Sequence, residues 1–178
     1  MKKFYNILLR DNKRYGVLYA PKGTDTRFGV EVVPVDNYEN MVFVLKGGEY
    51  TPFMNSNVCA YFVNKELKQL IEDNISDNYP LEFLPVKTIS EEFGNNIYYI
   101  LHFTKILDVI DEINSIRIPE DNSIIKPYLD YEKAKKLDFF NSAAFINDFF
   151  VSDKMKKMMK RQKLDLGIEF KEVPYVIP

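Results

Sequence analysis

The sequence predicts an α+β fold: a mixed or antiparallel sheet carrying three or four helices. Two observations support this. Short apolar runs with period-two alternation recur along the chain, as half-buried strands require. Two stretches also switch from a strand-like run to helical spacing and back. They read YFVNKELKQLIEDNISDNYPLEFLPV (61–86) and FFVSDKMKKMMKRQKLDLGIEFKEV (149–173). Each resembles an imperfect copy of the other, so an internally repeated strand–helix–strand unit is expected. Two copies are too few for a solenoid, which leaves one sheet with two similar helices or a two-lobed domain. The chain reads as one domain over 1–178, divisible into sub-lobes at 1–118 and 119–178.

Taken in order, residues 4–9 and 15–20 read as two strands of a hairpin across Arg10–Arg14. After a turn-rich break, Val30–Val35 is β-branched and reads as a strand weakened by Pro34. Met41–Leu45 is a further strand, closed by Gly47-Gly48; no GK[ST] follows, so the pair marks a turn and not a phosphate cradle. Thr51–Asn57 reads as irregular. In the first unit, Asn64 stands where an N-cap is needed, and Leu67, Leu70, Ile71 and Ile75 share a helical face. Ile97–Phe103 is strand-like, 104–113 fits strand and helix equally, and Ile116–Ile118 is a short strand ended by Pro119, with a turn to Ser123. Tyr131–Phe139 reads as a short helix capped by Asp130, and Asn141–Asn147 leads into the second unit. There Ser152 is the cap and Met155, Met158 and Met159 form the packing face. Gly167 marks the turn into the last strand.

Composition narrows function. Hydrophobic residues at 46% and charged residues at 28% are those of a globular domain. A net charge of -2 offers no electrostatic case for nucleic acid. The opening MKKFYNILLR is too short for a signal-peptide core and nothing approaches a membrane span, so a cytoplasmic protein without membrane or nucleic-acid partners is expected. One cysteine and one histidine preclude thiolate clusters and paired-histidine zinc sites. Cys59, in an apolar run, reads as a small core residue, and His102 as structural. An enzyme would need Cys59, His102 or the Asp108–Asp111–Glu112 cluster to converge in a cleft, so no catalytic, cofactor or metal residue is assigned. Charge separates the two helices. Glu66, Glu72 and Asp73 make the first acidic, and Lys156, Lys157, Lys160 and Arg161 make the second basic. These faces are the candidate partner-binding residues. A solvated helix face accounts for such runs as well.

The closing pattern Phe150-Val151-Ser152, a helix from Asp153, then Gly167-Ile168-Glu169-Phe170 and Val173 resembles the bacterial immunity-protein family of polymorphic toxin systems, the Imm11 or DUF1629 group. Val63-Asn64 with Leu81–Val86 matches that family's earlier similar segment. Tyr98-Tyr99-Ile100-Leu101, Asp111 and Ser115 match its tyrosine-rich strand leading to an aspartate and a serine. The chain departs in having Asn64 where serine is commoner and no glycine before Leu166. The resemblance implies a non-catalytic protein that binds a cognate toxin and occludes its surface. An interaction or scaffold module, including a homodimer, shares the same physical features.

Overall fold

The structure is a computed structural model. It describes every residue except Asp11, Val30, Asp121, Asn122, Ala143, Ala144 and Pro178, with 145–147 described in backbone only. Among the described residues strands hold 39% and helices 16%, so sheet dominates the α+β architecture. The strands are β1 (Phe4–Leu9), β2 (Val17–Tyr19), β3 (Val42–Lys46), β4 (Phe53–Asn55), β5 (Tyr61–Val63), β6 (Leu81–Ile89), β7 (Asn96–Phe103), β8 (Ile116–Arg117), β9 (Ile124–Lys126), β10 (Leu129–Asp130), β11 (Phe139–Ser142), β12 (Phe145–Ser152), β13 (Ile168–Val173) and β14 (Tyr175–Val176). The helices are α1 (Lys65–Glu72), α2 (Tyr131–Ala134) and α3 (Asp153–Arg161).

Six strands in the order β2-β3-β6-β7-β5-β4 form a nearly closed sheet. A bridge between Leu18 and Ser56 joins its two ends, and Asn57 N–H donates to the Leu18 carbonyl at 3.0 Å. Closure satisfies backbone groups that open edges would expose. Its inward positions, Leu18, Phe43, Leu45, Phe62, Val86 and Ile100, form one core with Phe43 and Phe62 edge to face at 4.8 Å. The second sheet, β11-β12-β1-β13, is antiparallel throughout. One face of it packs against the outside of the first sheet through Phe139, Phe149, Leu101 and Phe103. Its other face, carrying Phe4, Phe140 and Phe150, is covered by Val109, Ile110, Leu129 and Ala134.

The two similar segments contribute β5–α1–β6 to the first sheet and β12–α3–β13 to the second. β5 and β6 both run antiparallel to β7, which lies between them, as β12 and β13 do to β1. Both helices bury their apolar faces in one core, Leu67, Leu70 and Ile71 beside Met155 and Met159, while Met158 is half-buried.

Several expectations are corrected. β1 and β2 are not a hairpin: β1 pairs with β12 and β13, and β2 with β3, because the aromatic and aliphatic residues of β1 match the distant C-terminal strands. Val30 lies outside the described residues, and 31–35 form no strand; Pro34 removes a ladder donor, and Val35 instead turns into the first sheet's core. Thr51–Asn57 contains β4, whose Phe53 and Met54 are buried. The helix after Asp130 ends at Ala134, and Phe139 begins β11. The ambiguous 104–113 stretch adopts neither helix nor strand, with only Ile110 bridging to Leu129.

Candidate functional site

Both helices start from a side-chain cap. Asn64 Oδ1 accepts from Leu67 N–H at 2.9 Å, and Ser152 Oγ accepts from Met155 N–H at 3.1 Å. Each thereby satisfies an amide that the helix leaves orphaned. Ser152 does more than cap. Its hydroxyl donates to Asp138 Oδ1 at 2.5 Å, and Asp138 also meets Lys2 at 2.7 Å and Lys154 at 3.3 Å. Burial opposes the Asp138 charge, but Lys2, Ser152 and Lys154 outweigh it and hold the carboxyl below its usual range.

The acidic helix is largely self-compensated. Lys68 reaches Glu72 at 2.5 Å and lies over the rings of Phe83 and Tyr99, and Gln69 donates to Asp73 at 2.8 Å. Glu66 is exposed and carries no ion pair among the described residues. On the basic helix, Lys156 sits 3.4 Å above the Tyr5 ring and 5.6 Å from Phe170; burial and the nearby Lys160 lower its pKa. Lys157 pairs with Asp153 at 3.3 Å. Lys160 and Arg161 are exposed without an ion pair among the described residues, at the helix end where the dipole favours positive charge.

Gly167 has φ +82°, and a Cβ there would meet Thr51 Cγ2 at 2.9 Å. Both the backbone and the neighbour therefore require glycine. The following residues divide by alternation: Glu169 is exposed, while Phe170 is half-buried beneath Lys156.

Of the residues that an enzyme would need, Cys59 and His102 share a cavity and the Asp108–Glu112 carboxylates lie elsewhere. Cys59, expected in the core, is exposed, at φ +57° in the turn before β5; Val58 and Ala60 take the buried positions. His102 is buried, and desolvation lowers its pKa against the opposing pull of Glu82. Cys59 and His102 line one cavity of about 20 Å³, room for about one water. Asn141 lines it too, fully buried with neither side-chain polar atom hydrogen-bonded, a feature that nothing local in the sequence signals. The Asp108–Glu112 carboxylates stand apart from this cavity. Asp108 pairs with Lys133 at 2.8 Å, Asp111 accepts from the amides of Ile113 and Asn114, and Glu112 pairs with Arg117. Among the described residues no group of three His, Cys, Asp or Glu side chains could hold a metal, and no helix is long and apolar enough to cross a membrane.

A nearly closed sheet, one mixed-charge and one basic helix, each side-chain capped, and dispersed carboxylates are the features the chain presents. The model of the Imm11 immunity protein family matches residues 13–174 of the 178, and the chain belongs to that family. No curated protein matches it. Membership supports a toxin-immunity role in general terms.

Proposed function

We propose that the protein binds a cognate toxin protein and blocks it by covering its surface, without chemistry of its own. The observation that carries this reading is the family match over 13–174. The separation of Cys59 and His102 from the Asp108–Glu112 carboxylates supports it. Within this proposal, the contacts include Lys157, Lys160 and Arg161 on α3 and Glu66, Glu72 and Asp73 on α1, with Lys156 held back by its rings. Lys160 and Arg161 carry most of the electrostatic attraction, because no ion-pair partner competes for them among the described residues. On this reading the two strand–helix–strand segments serve as one unit used twice, with α3 strongly basic and α1 carrying Lys65 and Lys68 beside Glu66 and Glu72.

Co-expression tests the proposal. Cells making a toxin found encoded next to this chain's gene should survive when they also make this protein, and the two should purify as a stoichiometric complex. Continued killing at equal expression, with no complex formed, would refute it.

A further inference from the structure

The outward face of the six-stranded sheet changes character along its length. On β7, outward residues alternate as Phe103, Leu101, Tyr99 and Ile97. The first two are buried against α1 and the second sheet, whereas Ile97 is 49% exposed. Beyond that boundary the face is apolar apart from Lys46 and Lys87. Tyr19 on β2 stands directly opposite Val44 on β3, and Val44 opposite Ile89 on β6, a row of three exposed apolar side chains across three strands. The adjacent row is Val42, Lys87 and Ile97. A solvated sheet face alternates polar residues outward, as this one does not. Contiguous apolar surface of this kind marks an interaction site.

Charge selects the occupant. The outward positions of β2, β3, β6 and β7 in this half carry Lys46 and Lys87 and no carboxylate; Glu91 and Glu92 follow only on the hairpin beyond β6. Neither lysine has an ion pair among the described residues, and Lys46 rests 4.7 Å from the Tyr19 ring. A second copy of this chain docked about a two-fold axis along the strands would set lysine against lysine around an apolar centre. A partner with an apolar anchor rimmed by carboxylates meets both features.

We infer that this bare half of the sheet, centred on Val44 and Ile89 and flanked by Lys46 and Lys87, is the docking surface for an apolar, acid-rimmed face of the toxin. The inference rests on the toxin-binding reading and assigns it an anchor that the helix charges alone do not supply.

The test uses the full chain and an inactivated form of the toxin that it protects against in co-expression, with affinity and association rate measured for wild type and three double variants. Val44→Glu with Ile89→Glu should weaken binding at least about 100-fold, since it places two unpaired charges in the interface core. Lys46→Glu with Lys87→Glu should slow association about tenfold at low salt, and less at high salt. Lys160→Glu with Arg161→Glu should have a smaller effect than the first pair. Thermal melts check folding; if the apolar pair fails to fold, the lysine pair, at exposed positions, decides. Wild-type affinity in both sheet variants overturns the assignment of the face while leaving toxin binding intact. Failure of wild type to bind removes the functional reading and this inference with it. A dimer in sedimentation that Val44→Glu with Ile89→Glu dissociates would show that a second copy covers the face, and overturns the inference as well.

Discussion

Replacing Ser152 by alanine should cost far more than the same change at the matching cap, Asn64. Asn64 supplies one acceptor to Leu67 N–H, so Asn64→Ala should remove about 1 kcal/mol, the ordinary worth of an N-cap. Ser152 supplies that acceptor to Met155 and also donates to the Asp138 carboxylate from a fully buried position. A hydrogen bond to a charged group is worth about 1.5–3 kcal/mol, and the Asp138 side chain is only 13% exposed, so screening is limited. Ser152→Ala should therefore lose about 2.5–4 kcal/mol. Urea unfolding at pH 7 reads this as a lower midpoint at unchanged slope. The pH dependence separates the two contributions. The folded-state pKa of Asp138 is depressed, so its stabilisation is present above the ordinary aspartate pKa and is lost as pH falls through the folded value. The excess loss at Ser152 over Asn64 should accordingly shrink as pH drops below about 4. Equal losses at the two caps, or an excess that does not change with acid, would refute the role assigned to Asp138.

Gly167→Ala should destabilise by about 2–4 kcal/mol, from the positive φ and the contact with Thr51 together; adding Thr51→Ser, which deletes the obstructing methyl but keeps the hydroxyl bonded to Phe53, should recover part of it in the same unfolding assay. Phe62→Ala should cost about 3–5 kcal/mol, because Phe62 is fully buried among the inward residues of the closed sheet; a loss below about 1 kcal/mol in chemical denaturation would contradict that packing. Tyr98→Phe should cost about 1 kcal/mol, since the Tyr98 hydroxyl donates to the Thr51 carbonyl at 2.8 Å in a buried setting; the removed hydroxyl leaves that carbonyl unpaired. Cys59 should react with a maleimide reagent in native buffer at a rate that added denaturant raises little, and protection as deep as that of a core thiol would contradict its exposed position.

The features legible in the sequence were local. Asn64 and Ser152 announce their helices because a cap and the apolar spacing behind it lie within a dozen residues. β3 and β7 are legible because alternation survives along them. Pairing was not legible. β1 looks like half of a hairpin with the next apolar run, and nothing near Phe4 or Ile7 shows that its neighbours are Ser152 and Phe149 on one side and Val173 and Phe170 on the other. Val32–Val35 carries strand-forming residues that tertiary packing uses as a loop, and Phe139 follows helical residues yet begins a strand. At the candidate surface the charges of α1 and α3 were visible. Which of them are already matched was not, since Lys156 meets Tyr5 across 151 positions of the chain. The exposed row Tyr19–Val44–Ile89 was hidden for the same reason: three apolar residues on three strands form a patch only once the register is known.

The placement of β1 between β12 and β13 has a temporal consequence. β1 leaves the ribosome long before its partners β12 and β13 are made. At synthesis rates of about 5–20 residues per second, the 136 positions from Leu9 to Phe145 take roughly 7–27 s. The six-stranded sheet, complete by Phe103, can close during that interval, while Phe4 and Ile7 wait without neighbours. For a nascent chain, the second sheet is thus a late event governed by how long the aromatic strand β1 can be kept from mispairing. Production at low temperature or with abundant chaperones should favour it more than any change inside the closed sheet.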